Sequence, residues 1–263
     1  MGPALRDHRP RVAELWAFAR KDMNWQQFPE DVRAFQYRPA EPQLVQRFEC
    51  IFNYPRRFPE RRLKRYFDVS AAIFVLALSA PFWLVVALAI RVDGWVHAAH
   101  AGPVLDPYIA CSAGKKFLKL KFRTVKTAAF VPSWRRLDYR CRPTEHAPEN
   151  LTCVGRVLKA YYLDELPQVL NVLRGEMTLV GPRALAWHHY LKMLRLGHPL
   201  RRMMKAGLIG PAHVRKGTPD FPNLTFEYAY ADLYLSLSAL GLLWEDLKLV
   251  VLGIKAVLEA RGL

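Results

Sequence analysis

Acidic residues are scarce in this chain: 23 Asp and Glu stand against 39 Lys and Arg, a formal charge of +16 at pH 7. That imbalance says nothing about fold, but it suits an anionic partner: nucleic acid, anionic lipid or a phosphorylated substrate. Cysteine is sparse too. Cys50, Cys111, Cys141 and Cys153 form no CxxC pair and no metal-like spacing, which fits reduced thiols in a cytosolic setting rather than a disulfide framework. No Walker loop, GxGxxG or GxSxG occurs, and there is no internal repeat or low-complexity tract. The opening "MGPALRDHRPR" lacks the apolar core of a cleaved export signal, and Arg6 stands where a myristoylation signal needs Ser or Thr.

What is present begins with length. The 263 residues suffice for one good-sized domain with appendages and a substantial core. Residues 1–60 are polar, aromatic-rich and punctuated by proline. "RVAELWAFARKDM" fits an amphipathic helix, and "FPEDVRAFQYRPAEPQ" reads as loop around Pro29, Pro39 and Pro42. Next comes a basic cluster, Arg56, Arg57, Arg61, Arg62, Lys64 and Arg65, and then residues 69–90, 22 consecutive positions without a charge. A helix of that length covers roughly 33 Å, about one hydrocarbon core. Basic residues beside it are the expected cytoplasmic anchor against anionic headgroups. Pro81 stands near the middle. Periodicity leaves three readings open: a kinked spanning helix, which it favours, a helix–break–helix hairpin that returns to the same face, and a buried soluble helix.

Beyond Asp93 and Gly94 the chain reads as soluble. In "KKFLKLKFRTVK" (115–126), Phe117, Leu118, Leu120 and Phe122 interleave with Lys119, Lys121 and Arg123, the pattern of a half-buried strand with a basic outer face. Residues 127–150 are a Pro- and Arg-rich loop. The best-organised stretch is "YYLDELPQVLNVLRGEMTLVGPR" (161–183). Leu163, Leu166, Leu170 and Leu173 form a helical stripe, Pro167 suits a first turn, and Gly175 suits the position after the helix end. "MTLVG" then reads as a strand and Gly181-Pro182 as a turn presenting Arg183. From about residue 224 to the end the pattern is helical, and "LWEDLKLVVLGIKAVL" has one strongly apolar side, fit for a core or a membrane surface.

Asp164 and Glu165 thus fall at a helix start, and two readings apply. Acids there cap orphan N–H groups and favour the helix dipole. The same geometry binds phosphate, and adjacent carboxylates can divide the work: one attacks phosphorus to form an acyl-phosphate while the other holds Mg²⁺ or orients the nucleophile. Arg183, with Arg123 or Lys159, would neutralise phosphate charge, and nearby cations would lower the acids' pKa. The histidine pairs His97/His100 and His188/His189 show no carboxylate or cysteine at ligand spacing and read as loop or surface residues.

"KRYFD", the Pro-centred apolar segment, "KFLKLKFRTV", "LDELPQVLNVLRGEMTLVGPR" and "ADLY…WEDLKLV" occur in this order. Together they resemble the bacterial sugar transferase family, the monotopic polyprenyl-phosphate phosphoglycosyl transferases, over residues 61–260. The resemblance implies transfer of a sugar-1-phosphate from a nucleotide sugar, usually a UDP-sugar, to undecaprenyl phosphate with release of UMP, the first membrane step of exopolysaccharide, capsule, O-antigen or glycoprotein glycan assembly. It implies a phosphosugar intermediate on Asp164, Glu165 as second dyad member, and Mg²⁺ as cofactor held by both. It also implies phosphate contacts from Pro182 and Arg183 with Lys159, Lys121 and Arg123, and Asp246 as a supporting acid.

The implied fold is α/β. A re-entrant membrane hairpin broken at Ser79 and Pro81 (61–95) joins a cytoplasmic catalytic domain of helices around a short sheet (96–263), with amphipathic interfacial helices and an N-terminal extension (1–60). The hairpin replaces the spanning helix that periodicity favours. It puts the protein on the cytoplasmic face of a bacterial inner membrane, with anionic lipid as a partner, homo-oligomer or glycan-assembly partners as further expectations, and no nucleic acid.

Departures surround the dyad. Lys159 replaces the family's arginine five residues before the nucleophile, keeping the charge without the two-pronged grip. Tyr161 and Tyr162 replace Ser or Thr, Ala184 replaces the second proline of Pro-Arg-Pro, and "LDPYIACSAG" and "AGLIGPAHV" replace the usual strand-turn and bend. Two readings follow: an active member with an unusual donor, or a weakened homologue that scaffolds a glycan-assembly complex.

Overall fold

The computed structural model describes residues 38–129, 145, 147–216 and 223–259. The helix expected in "RVAELWAFARKDM" and most of the 127–150 loop lie outside them. Two short helices open the described chain, α1 (Pro42–Arg47) and α2 (Glu49–Phe52). Pro42 takes the first position of α1, where a missing N–H costs least, so the loop expected around it yields to helix. Phe48, Ile51 and Phe52 are buried, and the Phe52 ring stacks on Tyr228 at 4.9 Å. Residues 38–60, read from sequence as part of an extension, therefore share the core of the domain.

The longest element is α3 (Arg62–Val96), 35 residues that run through Ser79 and Pro81 as one helix. Ser79 takes a hydrogen bond from the Trp83 indole at 3.0 Å. The buried positions form two groups, Lys64, Asp68 and Ala72 near one end and Val86, Ile90 and Asp93 near the other. Nothing from 73 to 85 is buried, and Phe74, Leu78 and Leu84 are open. Only 11% of its most apolar 18-residue window is buried, which excludes the core helix of a soluble domain and supports membrane association.

Both groups dock on one small mixed body. Ala72 packs with Phe117, Val172 and Met177; Val86 and Ile90 pack with Phe122 and Leu158. A three-stranded antiparallel sheet has the order β2-β1-β4, with β1 Tyr108–Ser112, β2 Lys115–Lys119 and β4 Leu185–Ala186. The β1–β2 hairpin turns at Ala113 and Gly114, both with positive φ. A second, parallel pair joins β3 (Thr178–Val180) to β5 (Gly207–Ile209). A Cβ on Gly207 would lie 2.1 Å from the Gly181 nitrogen, so only glycine lets β5 approach the turn before Arg183 this closely.

The helices α4 (Cys153–Ala160), α5 (Gln168–Leu173), α6 (Trp187–Arg195) and α7 (Leu200–Met203) surround these sheets. The helical C-terminal region appears as α8 (Thr225–Ser236) and α9 (Ala239–Leu258). On α9, Leu240, Trp244, Val251, Ile254 and Leu258 are exposed, an apolar face with nothing packed over it among the described residues.

Candidate active site

The dyad is placed by a tight local turn. Tyr162 has a left-handed φ of 56°, and a 3-10 turn over Leu163–Glu165 precedes α5, with Pro167 at its cap. The acids therefore precede the α-helix instead of occupying its first turn. The leucine stripe is only partly buried; α5 buries Gln168, Val169, Asn171 and Val172 instead. Gly175 follows the helix with φ 75°, as its position requires. Arg65 of α3 donates to the Val172 and Leu173 carbonyls at 2.6 and 2.9 Å, satisfying two orphan acceptors at the helix end.

Around the dyad the basic face of the 115–126 segment turns inward. Lys119 is 2% exposed and Arg123 4%, whereas Leu118 is 39% exposed. The expected basic outer face is thus corrected: two lysines face buried acid. Lys121 Nζ lies 2.8 Å from Asp164 Oδ2, and Lys119 Nζ lies 3.9 Å from Glu165 Oε1. Arg183 donates to Glu165 Oε1. The Phe122 N–H donates to the Asp164 carbonyl at 2.9 Å, locking strand to turn. Asn171 completes the lock: it accepts from Leu120 N–H at 3.0 Å and donates to the Leu118 carbonyl at 2.8 Å.

Burial and charge separate the two acids. For Glu165, burial pushes the pKa up, but Arg183, Lys119 and Lys121 outweigh it and hold the carboxyl well below the usual range. For Asp164, burial and the adjacent Glu165 prevail over Lys121 and Lys159, and the carboxyl is raised. The lowering expected for both acids therefore holds for Glu165 alone. Lys121 is held charged by Asp164, Glu145 and Glu165 against the opposing effect of burial. Burial and the neighbouring Lys121 charge bring Lys159 down to about 8, and its ammonium donates to the Glu145 carbonyl.

This buried ring of cations around paired carboxylates is built for anionic chemistry, and similarity gives it a class. The bacterial sugar transferase family matches residues 59–260. The chain belongs to that family. The UDP-glucose:undecaprenyl-phosphate glucose-1-phosphate transferase of Caulobacter vibrioides is 35% identical over 201 residues, 74% of this chain and 69% of that protein. The exopolysaccharide production protein PSS of Rhizobium leguminosarum bv. phaseoli is 34% identical over 185 residues, 65% of this chain and 84% of that one. The undecaprenyl-phosphate glucose phosphotransferase of Komagataeibacter xylinus is 30% identical over 204 residues, and the match spans only 36% of its length. The chain is an enzyme of the phosphoglycosyl transferase class.

The other residues expected in a bacterial sugar transferase site fall at different distances from the dyad. Pro182 and Arg183 leave β3 directly, and the Pro182 carbonyl accepts from Gly207 N–H at 2.9 Å. Asp246 is fully buried in a separate network, 2.6 Å from Lys64 Nζ and 2.5 Å from the Tyr230 hydroxyl. Asp68 extends that network to β3, accepting from Thr178 Oγ1 at 2.5 Å and Leu179 N–H at 3.0 Å. Asp68 thereby fixes α3 to β3, the strand that leads into Arg183, and Lys64 links Asp246 to it. Burial raises the pKa of Asp246 despite Lys64. Arg123 is not joined to the dyad: its Nε donates to the Pro103 carbonyl at 2.7 Å, and burial lowers its pKa.

Three contributors carry no catalytic signal in the sequence. Arg201 donates to the Arg183 carbonyl at 3.1 Å and to Glu227 at 2.8 Å, steadying the arginine from behind. Lys119 looks like any solvated strand lysine. Gln168, 1% exposed, has neither amide atom hydrogen-bonded among the described residues. A cavity of about 420 Å³ lined by Arg57, Arg61, Lys115, Glu176 and Lys205 lies apart from the dyad. At the dyad, by contrast, two adjacent buried carboxylates meet Lys119, Lys121 and Arg183. The isolated-histidine reading also needs correction: Asp93 and Cys153 stand beside His97 and His100.

Proposed function

We propose that the chain transfers a sugar-1-phosphate from a UDP-sugar to undecaprenyl phosphate and releases UMP, initiating exopolysaccharide or related glycan assembly. The single observation that carries this is the burial of Asp164 and Glu165 among Lys119, Lys121, Lys159 and Arg183. Such a cage is complementary to a diphosphate, whose charge must be neutralised as phosphorus is attacked.

In the first half-reaction an Asp164 oxygen attacks the sugar-bearing phosphorus. A P–O bond to that carboxylate forms, the bond to the bridging oxygen breaks, and UMP leaves with the electron pair. In the second, a phosphate oxygen of undecaprenyl phosphate attacks the same phosphorus, the bond to Asp164 breaks, and the carboxylate is regenerated. A carboxylate of raised pKa is the more basic nucleophile, which suits Asp164 to attack. Glu165, held anionic by Arg183, keeps that guanidinium oriented toward the incoming phosphates. The two side chains form an all-oxygen donor set that fits Mg²⁺, which would add charge neutralisation at the phosphates.

The membrane reading follows from α3 and α9. A bend at Pro81, in the uncovered middle of the continuous α3, would make it a re-entrant hairpin whose docked ends both meet the catalytic body on the cytoplasmic face. The exposed apolar side of α9 lies in the interface, with the basic 56–65 cluster against anionic headgroups. A lipid phosphate and a water-soluble nucleotide can meet only at that surface.

UDP-glucose, the donor named for the Caulobacter vibrioides relative, is the first donor to test. Incubation with donor labelled in the sugar phosphate, without acceptor, is expected to leave label on the peptide carrying Asp164 and to release one UMP per chain. Asp164→Asn removes both. Product formation without label on residue 164 overturns the nucleophile assignment. Absence of turnover across a panel of UDP-sugars, with partner binding retained, returns the protein to the scaffolding role.

A further inference from the structure

We propose that Asp93, His97, His100 and Cys153 form a structural zinc site that clips the end of α3 to the start of α4. One ligand atom from each residue lies within 4.8 Å of the other three. A tetrahedral zinc ion, with bonds of about 2.0–2.3 Å, needs ligand atoms about 3.3–3.8 Å apart. Two of those separations are already that short: Asp93 Oδ1 is 3.2 Å from His97 Nδ1 and 2.9 Å from His100 Nδ1. The remaining separations are at most 4.8 Å, so closing them takes shifts of about 1 Å.

The local structure brings the four together. Asp93 and His97 are one helical turn apart at the end of α3, and His100 lies in the 3-10 turn that follows. Cys153 is the first residue of α4, placed by Thr152, whose hydroxyl caps the helix by accepting from Gly155 N–H at 2.9 Å. The other Asp93 oxygen accepts from Val154 N–H at 3.3 Å, so backbone beside the cysteine orients the carboxylate. Asp93 and His100 are buried while His97 and Cys153 are exposed, which leaves an entry path.

The donor set selects the metal. One thiolate, two imidazoles and one carboxylate match Zn²⁺ and disfavour Mg²⁺ or Ca²⁺, which prefer all-oxygen sites. Two anionic ligands balance the dication. Binding releases the Cys153 thiol proton and leaves each imidazole with its single proton on Nε2, while Nδ1 turns its lone pair to the metal. Four protein ligands close the coordination sphere, so the ion is structural. It ties residue 93 to residue 153, and α4 carries Lys159 at its far end.

The test uses untagged full-length protein in detergent, stripped with chelator. Titration with Zn²⁺ is expected to saturate at one tight equivalent and to raise the melting temperature by about 5 °C at a hundredfold excess over Kd. Co²⁺ as a probe gives tetrahedral d–d bands and a thiolate-to-cobalt charge-transfer band. Cys153→Ser removes that band and weakens Zn²⁺ binding at least tenfold, His100→Gln weakens it similarly, and Cys50→Ser, at an exposed thiol beside Asp232, changes neither. No saturable Zn²⁺ binding by the wild-type chain, or a charge-transfer band that survives in Cys153→Ser, overturns the proposal. Because binding and spectrum are read without substrate, failure here leaves the transferase reading untouched.

Discussion

At the scale of residues, the site depends on how one carboxylate is made unlike its neighbour. Glu165 has Arg183 and Lys119, Asp164 has Lys121, and burial drives their pKa values apart. Lys159 is the cation with the least secure charge. Burial and the nearby Lys121 bring it to about 8, so its positive form is complete below that pH and is lost above it. If that charge binds phosphate, kcat/KM for the donor declines tenfold per unit as pH rises beyond about 8. Lys159→Arg, which stays charged, moves this alkaline limb out of range, and Lys159→Ala costs roughly 10²-fold at pH 7. A pH–rate profile that Lys159→Arg leaves unchanged removes Lys159 from phosphate binding. The acids and Arg183 are legible in sequence because their spacing is a motif. Lys119 and Gln168 are not, since a polar side chain carries no mark of burial until the fold closes over it.

Elements show the same boundary between pattern and placement. Alternation along 115–126 reveals which residues share a face but not that both faces are covered from Lys119 onward. The buried dyad and Asn171, some 50 positions further on, decide that. Likewise the uncharged run at 69–90 announces a membrane helix, while its route depends on where both ends dock. Ala72 and Ile90 sit on one catalytic body, 18 residues apart along α3, with nothing buried from 73 to 85. The re-entrant proposal requires this continuous helix to bend at Pro81, where the ring removes a backbone hydrogen bond. Single cysteines placed at Arg62 and Trp95 in otherwise cysteine-free protein, in sealed inverted vesicles, are both expected to react with a membrane-impermeant thiol reagent. Protection of either one until detergent is added requires a spanning helix.

For the molecule as a whole, the question is how residues 38–60 came to be part of the enzyme's core. Sequence offered only prolines and aromatics there, and no periodicity ties them to a helix 180 positions away. The structure makes the joint at His198. Its Nε2–H donates to the Arg38 carbonyl at 3.1 Å, and its Nδ1 accepts from the Tyr228 hydroxyl at 3.2 Å. Ala40 N–H donates to the Leu196 carbonyl at 2.8 Å alongside. Burial, with Arg201 nearby, pushes the histidine down to about 4. An unfolded histidine titrates at about 6.5, so between the two values the unfolded chain binds more protons than the native one. Stability is therefore fully present above about 6.5 and falls as pH drops toward 4, by up to about 3 kcal/mol from this group. His198→Gln, which can donate to Arg38 and accept from Tyr228 without titrating, is expected to melt at a temperature less dependent on pH across that window than wild type. Identical slopes for the two proteins in thermal unfolding at pH 4.5–7 remove His198 as the source of this acid sensitivity.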